Sequence, residues 1–257
     1  TILIKKIFFP LIRLWQETVK VYQIITNARW LILGALTGIL SGIIAIVFFA
    51  GVEGLKFLLV HKLAGFSLPA PAGEEIFHGH AGVFRPWLIP VFTTLVGLVT
   101  GYLVTRFVPD CIKAGTDGTD SMIRAFHKQG GIIKPLVALI RGGTSILTIG
   151  AGGSAGREGP ISLLGAGLGS FLADKLKLSP KERRILLLTG AAGGLGAIFR
   201  APLGGALTAV EVIYREDFEA EAILPSVISS VVAYTIFTLV FGTEPIFGIP
   251  RFSFENP

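Results

Sequence analysis

Two kinds of apolar stretch alternate along this chain. The first kind is long and free of charge. Trp30 to Val52 holds 23 residues without Asp, Glu, Lys or Arg, about 34 Å as a helix and enough to cross a bilayer. Asn27 is placed to cap it and Arg29 to anchor its start. Trp87 to Thr105 is a second such run, closed by Arg106, and Ala222 to Thr243 is a third. If Arg29 and Arg106 both mark the cytoplasmic side, the first two form an up-and-down pair. Leu63 to Phe84, rich in Gly, Pro, Glu and His, reads as an aqueous loop. Residues 1–27 mix Ile4, Ile7, Phe8, Leu11, Ile12, Trp15 and Val19 with Lys5, Lys6, Arg13, Glu17 and Lys20. From Leu11 onward that spacing predicts an amphipathic helix along the membrane surface, with Pro10 dividing it. The alternative is a helix packed on a cytoplasmic domain.

The second kind of stretch is short or broken. Gly115 to Asp120 (GTDGTD) opens a polar-flanked helix ending near Gln129. Arg141 interrupts the next run, Arg157-Glu158 separates two glycine-rich ones, Arg200 and Pro202 break another, and Glu211 sits in the one after. Irregular backbone and charge at membrane depth are tolerated only where they line a cavity or are buried in protein. Discontinuous helices of this kind point to a midplane binding site. The predicted fold is therefore an all-α membrane protein of broken and tilted transmembrane helices. Its divisions are 1–27 interfacial, 28–245 transmembrane and 246–257 a tail or linker.

Composition supports this. Of 257 residues, 51% are hydrophobic and 16% charged, and the mean hydropathy is +0.70. Soluble domains average about 25% charged residues, so this chain could not cover a water-facing surface. The 33 glycines, many inside apolar runs, suit close-packed membrane helices. A net charge of +6 reads as basic membrane loops or an anionic substrate rather than nucleic acid. Cys111 is the one cysteine, which excludes an intrachain disulfide. No cofactor or metal site is predicted: His78-x-His80, beside Glu74 and Glu75, reads as a solvated loop. Lys175, Lys177, Lys181, Arg183 and Arg184 mark an aqueous boundary near lipid headgroups, or an anion-attracting vestibule. The sequence opens on Thr1 and its one methionine is Met122, so a trimmed or processed start is expected. Residues 1–27 lack a signal-peptide pattern.

The most informative segment is Gly150 to Pro160, GAGGSAGREGP. Its glycines leave backbone N–H groups exposed, and Pro160 falls where a new helix should begin. A glycine loop feeding a helix N-terminus inside a membrane is an anion site made of backbone. A phosphate-binding P-loop would need G-x-x-x-x-G-K-[ST], which is absent, and no strand precedes the loop for a dinucleotide site. Helix packing accounts for Gly165, Gly167, Gly169, Gly193, Gly194 and Gly196, but not for Arg157-Glu158. Glu158 has two readings. As a carboxylate beside an anion site it competes with the anion, and protonated or swung aside it opens the path. Alternatively it pairs with Arg157 or caps a helix start.

At these residues the chain resembles the CLC family of chloride channels and proton–chloride exchangers. Gly156-Arg157-Glu158-Gly159-Pro160 matches the family's G-[KR]-E-G-P signature. Leu188-Thr189-Gly190-Ala191-Ala192-Gly193, followed by Arg200-Ala201-Pro202-Leu203, resembles its next block. The likeness runs from about Trp30 to the end. It implies one half of an inverted repeat, with Glu158 as the external gate and chloride held by the N–H groups of Arg157, Glu158 and Gly159, with Gly156 leading in. It further implies a dimer of complete subunits meeting through Pro202 to Tyr214 and Ala222 to Phe241, with Pro202, Leu203, Ala206, Leu207, Ile223, Val227 and Ser230 at the interface. No enzymatic activity is implied; an intramembrane hydrolase using Asp117 and Asp120, or a non-conducting scaffold, are the competing classes.

Three departures qualify this. The family's G-S-G-I-P loop, whose serine contacts the anion, is replaced by Gly115 to Asp120, which puts Asp117 at the serine position with Gly118 and Thr119 following. These three join the anion-site set, although Asp117 equally suits a helix cap. The inner proton-transfer glutamate that follows the one matching Glu211 is here Val212, which favours a channel over an exchanger. Finally, only the first half of the family is matched, so a fragment, or one part of a larger assembly, is expected. The expected setting is a multi-pass protein of the plasma membrane with a cytoplasmic N-terminus, and the expected partners are chloride, the bilayer, the second half and a second subunit.

Overall fold

The computed structural model describes the backbone of residues 2–67, 82–109, 117–214 and 219–243, and side chains from residue 28 onward. Those residues form helices and no strand. Helix α1 runs unbroken from Ile2 to Lys56 and continues as a π-helix over Phe57–Leu63. Then come α2 (Leu88–Phe107), α3 (Gly118–Lys128), α4 (Pro135–Gly150), α5 (Glu158–Lys175), α6 (Pro180–Ile198), α7 (Pro202–Glu211) and α8 (Ala220–Phe241). Three described segments are long and apolar enough to cross a membrane: Ala28–Leu63, Leu88–Phe107 and Ala220–Phe241.

Two expectations for α1 are corrected. Pro10 does not divide the helix, and Asn27 does not cap one, because both lie inside the continuous run. A proline removes one backbone hydrogen bond and bends a helix without having to end it, and Pro225 sits inside α8 in the same way. Arg29 forms an ion pair with Glu182 at 2.7 Å.

Helix α6 is the hub. Every residue from Ile185 to Ile198 is buried, with α5, α1, α7 and α8 packed around it. Small residues permit this. A Cβ on Gly165 of α5 would collide with the Gly190 carbonyl, and one on Gly190 with that of Gly165, so the two backbones touch. Along α1, Gly34, Gly38 and Gly42 face α8: a Cβ at Gly38 would lie 2.6 Å from the Ser229 oxygen. On its α6 side, α8 sets Ser229 and Ser230 against Gly193 and Gly196. Ser170 of α5 secures the α3–α4 connection, accepting from Ile133 N–H at 3.0 Å and donating to Gly131 C=O at 2.7 Å. The α5–α6 connection ends in a capping box between Ser179 and Glu182, as suits an aqueous boundary. Helix α2 has no buried residue; it packs along α4 and touches the π segment rather than running along α1.

The packing corrects the interface assignment. Ala206 is 1% exposed and Ser230 0%, so both are spent inside this chain and cannot meet a partner. Leu203, at 64%, and Leu207, at 47%, face outward, while Pro202, Ile223 and Val227 are half-buried.

Candidate functional site

Three helices begin around one cavity. Helix α5 starts at Glu158, after a turn in which Gly152 takes φ +92°. Its first bond runs from Ile161 N–H to Arg157 C=O, 3.2 Å, which leaves the N–H groups of Glu158 and Gly159 ahead of the ladder. Helix α3 starts at Gly118, where Ser121 N–H bonds Asp117 C=O at 3.1 Å, so Gly118 and Thr119 are likewise ahead of its ladder. The two starts abut: the Gly118 nitrogen lies 3.4 Å from where a Cβ on Gly159 would be, and a Cβ on Gly118 would strike the Gly159 carbonyl. Helix α7 starts at Pro202 after Ala201.

The cavity holds about 290 Å³ and is lined from α3 by Thr119, from α5 by Glu158 and Ser162, and from the α6–α7 corner by Phe199, Ala201 and Gly204, with Val212 beyond the end of α7. Each helix start carries roughly half a positive charge, so the cavity favours an anion without a fixed cation in its wall. A wider groove of about 460 Å³ between α2 and α4 is lined by Gly97, Thr100, Thr144, Ser145 and Thr148 among others. Its hydroxyls donate back into their own helices, and its lining residues carry no charge.

Glu158 is exposed at this cavity, and among the described residues its carboxylate has no hydrogen-bond or ion-pair partner. The pairing with Arg157 is not formed. Arg157 instead donates from Nη2 to Glu53 Oε1 at 3.0 Å, and Glu53 also pairs with Lys56. Nor does Glu158 cap α5. Of the other proposed anion contacts, Asp117 is the α3 cap, its Oδ1 accepting from Asp120 N–H at 2.8 Å. An acceptor already bound to its own helix is not an anion ligand, so Asp117 is corrected to a cap, with Gly118 and Thr119 supplying the free amides.

Around the end of α7, Glu211 is exposed, Tyr214 donates to Glu219 Oε2 at 2.9 Å, and His127 Nε2 lies 2.7 Å from Ile213 O. In the basic connection, Lys181 pairs with Glu221 at 2.6 Å and Arg183 with Asp174 at 3.3 Å. The Glu221 hydrogen bond raises Lys181 above its ordinary pKa, and the Ser179 backbone N–H, with help from the Ser179 hydroxyl and Arg29, holds Glu182 below its own. Gly115, Thr116, Cys111, His78, His80 and the 246–257 tail lie outside the described residues. Sequence reasoning missed Glu53 and the cavity wall at Ser162, Phe199, Ala201, Gly204 and Thr208. The signal for Glu53 was its place, directly after an uncharged run that ends at Val52.

The family model described as voltage gated chloride channel matches residues 96–256. An uncharacterized protein of Methanocaldococcus jannaschii is 36% identical over 63% of this chain and 38% of its own length. The H(+)/Cl(−) exchange transporter ClcA of Cronobacter sakazakii is 30% identical over 83% of this chain and 43% of its own. This chain thus spans about two fifths of the length of these relatives. Among solved structures, a slow cyanobacterial Cl−/H+ antiporter superposes with TM-score 0.60 at 24% identity, over 82% of this chain and 47% of that one. A CLC-type fluoride/proton antiporter gives 0.66 at 21%, over 90% and 51%. The fold is therefore one half of a CLC-type architecture, and with its broken helices converging on an amide-lined cavity the chain belongs to the voltage-gated chloride channel family.

Proposed function

We propose that the complete protein moves chloride, or a similar small anion, across a membrane in exchange for protons. The observation that carries this is the unpartnered Glu158 carboxylate at the meeting of the α3 and α5 starts, bordering the cavity. A halide has no shape to match, so amide donors without a full charge can bind it and still release it. Ionised, Glu158 competes with the anion; protonated or swung aside, it admits one. The contacting amides are those of Arg157, Glu158, Gly159, Gly118 and Thr119, with Gly156 leading into them.

Val212 favours a channel, since it cannot carry a proton. Against that, the relative named above is an H(+)/Cl(−) exchange transporter, and both solved neighbours are proton antiporters. These support exchange, with a proton route that bypasses position 212. The second half supplies the anion's remaining donors, so the isolated chain does not conduct. Two complete subunits pair through the outward face of α7 and α8, at Leu203 and Leu207 with Pro202, Ile223 and Val227. The setting is the plasma membrane with a cytoplasmic N-terminus, and residues 2–27 continue α1 beyond the first span rather than forming a separate surface helix.

The test is proton movement in liposomes containing the complete protein. A chloride gradient should drive protons uphill. Intact chloride flux without proton movement would return the channel reading, and no anion flux at all would overturn both.

A further inference from the structure

Glu53 takes no part in the cavity, yet it is the most deeply placed carboxylate near the gate. It is 5% exposed, at the end of α1 just before the π segment. Its Oε1 accepts from Arg157 Nη2 across 104 positions of sequence, and its Oε2 pairs with Lys56 one turn on. The Arg157 guanidinium also stands 5.4 Å from the ring centre of Phe49, so an acid and an aromatic face hold it together. Buried ion pairs are a weak source of stability, because desolvation offsets much of the attraction. The location of this one suggests a different role. Arg157 is the residue before Glu158, and an unrestrained guanidinium beside a gate carboxylate would pair with it and hold it shut.

We infer that Glu53 is a positioning residue for the gate: by holding the Arg157 guanidinium against α1, it denies Glu158 a cationic partner and leaves that carboxylate free to move. This rests on Glu158 being the gate. Of the charged groups on elements packed against the start of α5, Asp120 and Arg124 of α3 are exposed, and four others are engaged. Asp117 caps α3 through Asp120 N–H, Arg141 of α4 donates to Ser121 Oγ at 3.1 Å, Arg200 ahead of α7 donates to Phe241 C=O at 3.4 Å, and Lys56 is on Glu53 itself. Arg157, adjacent to Glu158 in the chain, is the cation that Glu53 withholds from it.

The experiment measures chloride flux against pH for the complete protein in liposomes. Glu53→Gln should lower flux at neutral pH on the order of fivefold, the size of one solvent-exposed ion pair, and move the rise in flux to more acid pH. In a Glu158→Gln background the same substitution should do neither. Phe49→Leu keeps every charge and loosens the same guanidinium; it should act in the same direction, again only when Glu158 is present, and serves if Glu53→Gln does not fold. An equal effect in both backgrounds, or none in either, would overturn the proposal while the gate stands. Flux and pH response unchanged by Glu158→Gln alone would overturn the gate reading and this proposal with it.

Discussion

Adding one methyl group at Gly118 should weaken anion binding more than its size suggests. The Cβ of Gly118→Ala would strike the Gly159 carbonyl oxygen, a backbone atom of a helix start that cannot rotate aside. Overpacking of this kind costs roughly 1–3 kcal/mol. The only relief is to move the α3 and α5 starts apart. The N–H groups of Gly118, Thr119, Glu158 and Gly159 then no longer converge. Losing one hydrogen bond to a charged partner is worth about 1.5–3 kcal/mol, so half-saturating chloride should rise about ten- to hundredfold. Chloride dependence of flux in liposomes measures this directly. Gly97→Ala is the control, because no atom lies within 4 Å of the added carbon and alanine favours a helix by about 1 kcal/mol. If Gly118→Ala bound chloride as the unsubstituted protein does, the two helix starts would not be in contact and the site would be wrongly built.

Glu158→Gln should raise anion flux or remove its pH dependence; unchanged flux and response between about pH 4 and 8, a range spanning ordinary carboxylate titration, would exclude it as gate. Arginine at Leu203 and Leu207 together should convert the complete protein to monomers in detergent, since both side chains face outward; a surviving dimer would move the interface elsewhere. Ser179→Ala should lower the melting point through loss of a cap worth about 1 kcal/mol. Because Glu182 is held below its ordinary pKa, its contribution is full above the unfolded value of 4.5 and is lost as pH falls through the folded value. Only the bond from the Ser179 hydroxyl to the Glu182 carboxylate is both lost in Ser179→Ala and dependent on pH, so the gap between the two melting curves should narrow at acid pH, and a gap that widened on acidification would refute the assigned cause.

The long spans were legible in the sequence because an uncharged run has one solution in a bilayer. The structure extends the first to Ala28–Leu63 and sets the third at Ala220–Phe241. The glycine loop, the start of α5 and the α7 start at Pro202 were legible because Gly, Pro and charge mark helix ends chemically. Facing was not. Ala206 and Ser230 are small, which suits any close contact, and nothing in a single sequence says whether that contact is with α6 or with another subunit. Glu53 was missed because its partner, Arg157, is 104 positions away; spacing reports only local neighbours. Asp117 was read both as ligand and as cap, and only the position of its Oδ1 beside Asp120 N–H decided between them.

The central claim is that an anion sits where these helices begin. Crystals of the complete protein soaked in bromide offer the most direct measurement, because bromide scatters anomalously and takes the place of chloride. The account predicts a peak within the cavity bordered by Thr119, Glu158 and Gly204, at hydrogen-bond distance from the Gly118, Thr119 or Gly159 amides. It also predicts that the peak is stronger in Glu158→Gln, where no carboxylate competes. A cavity empty of bromide in both proteins, with anion flux intact, would contradict it.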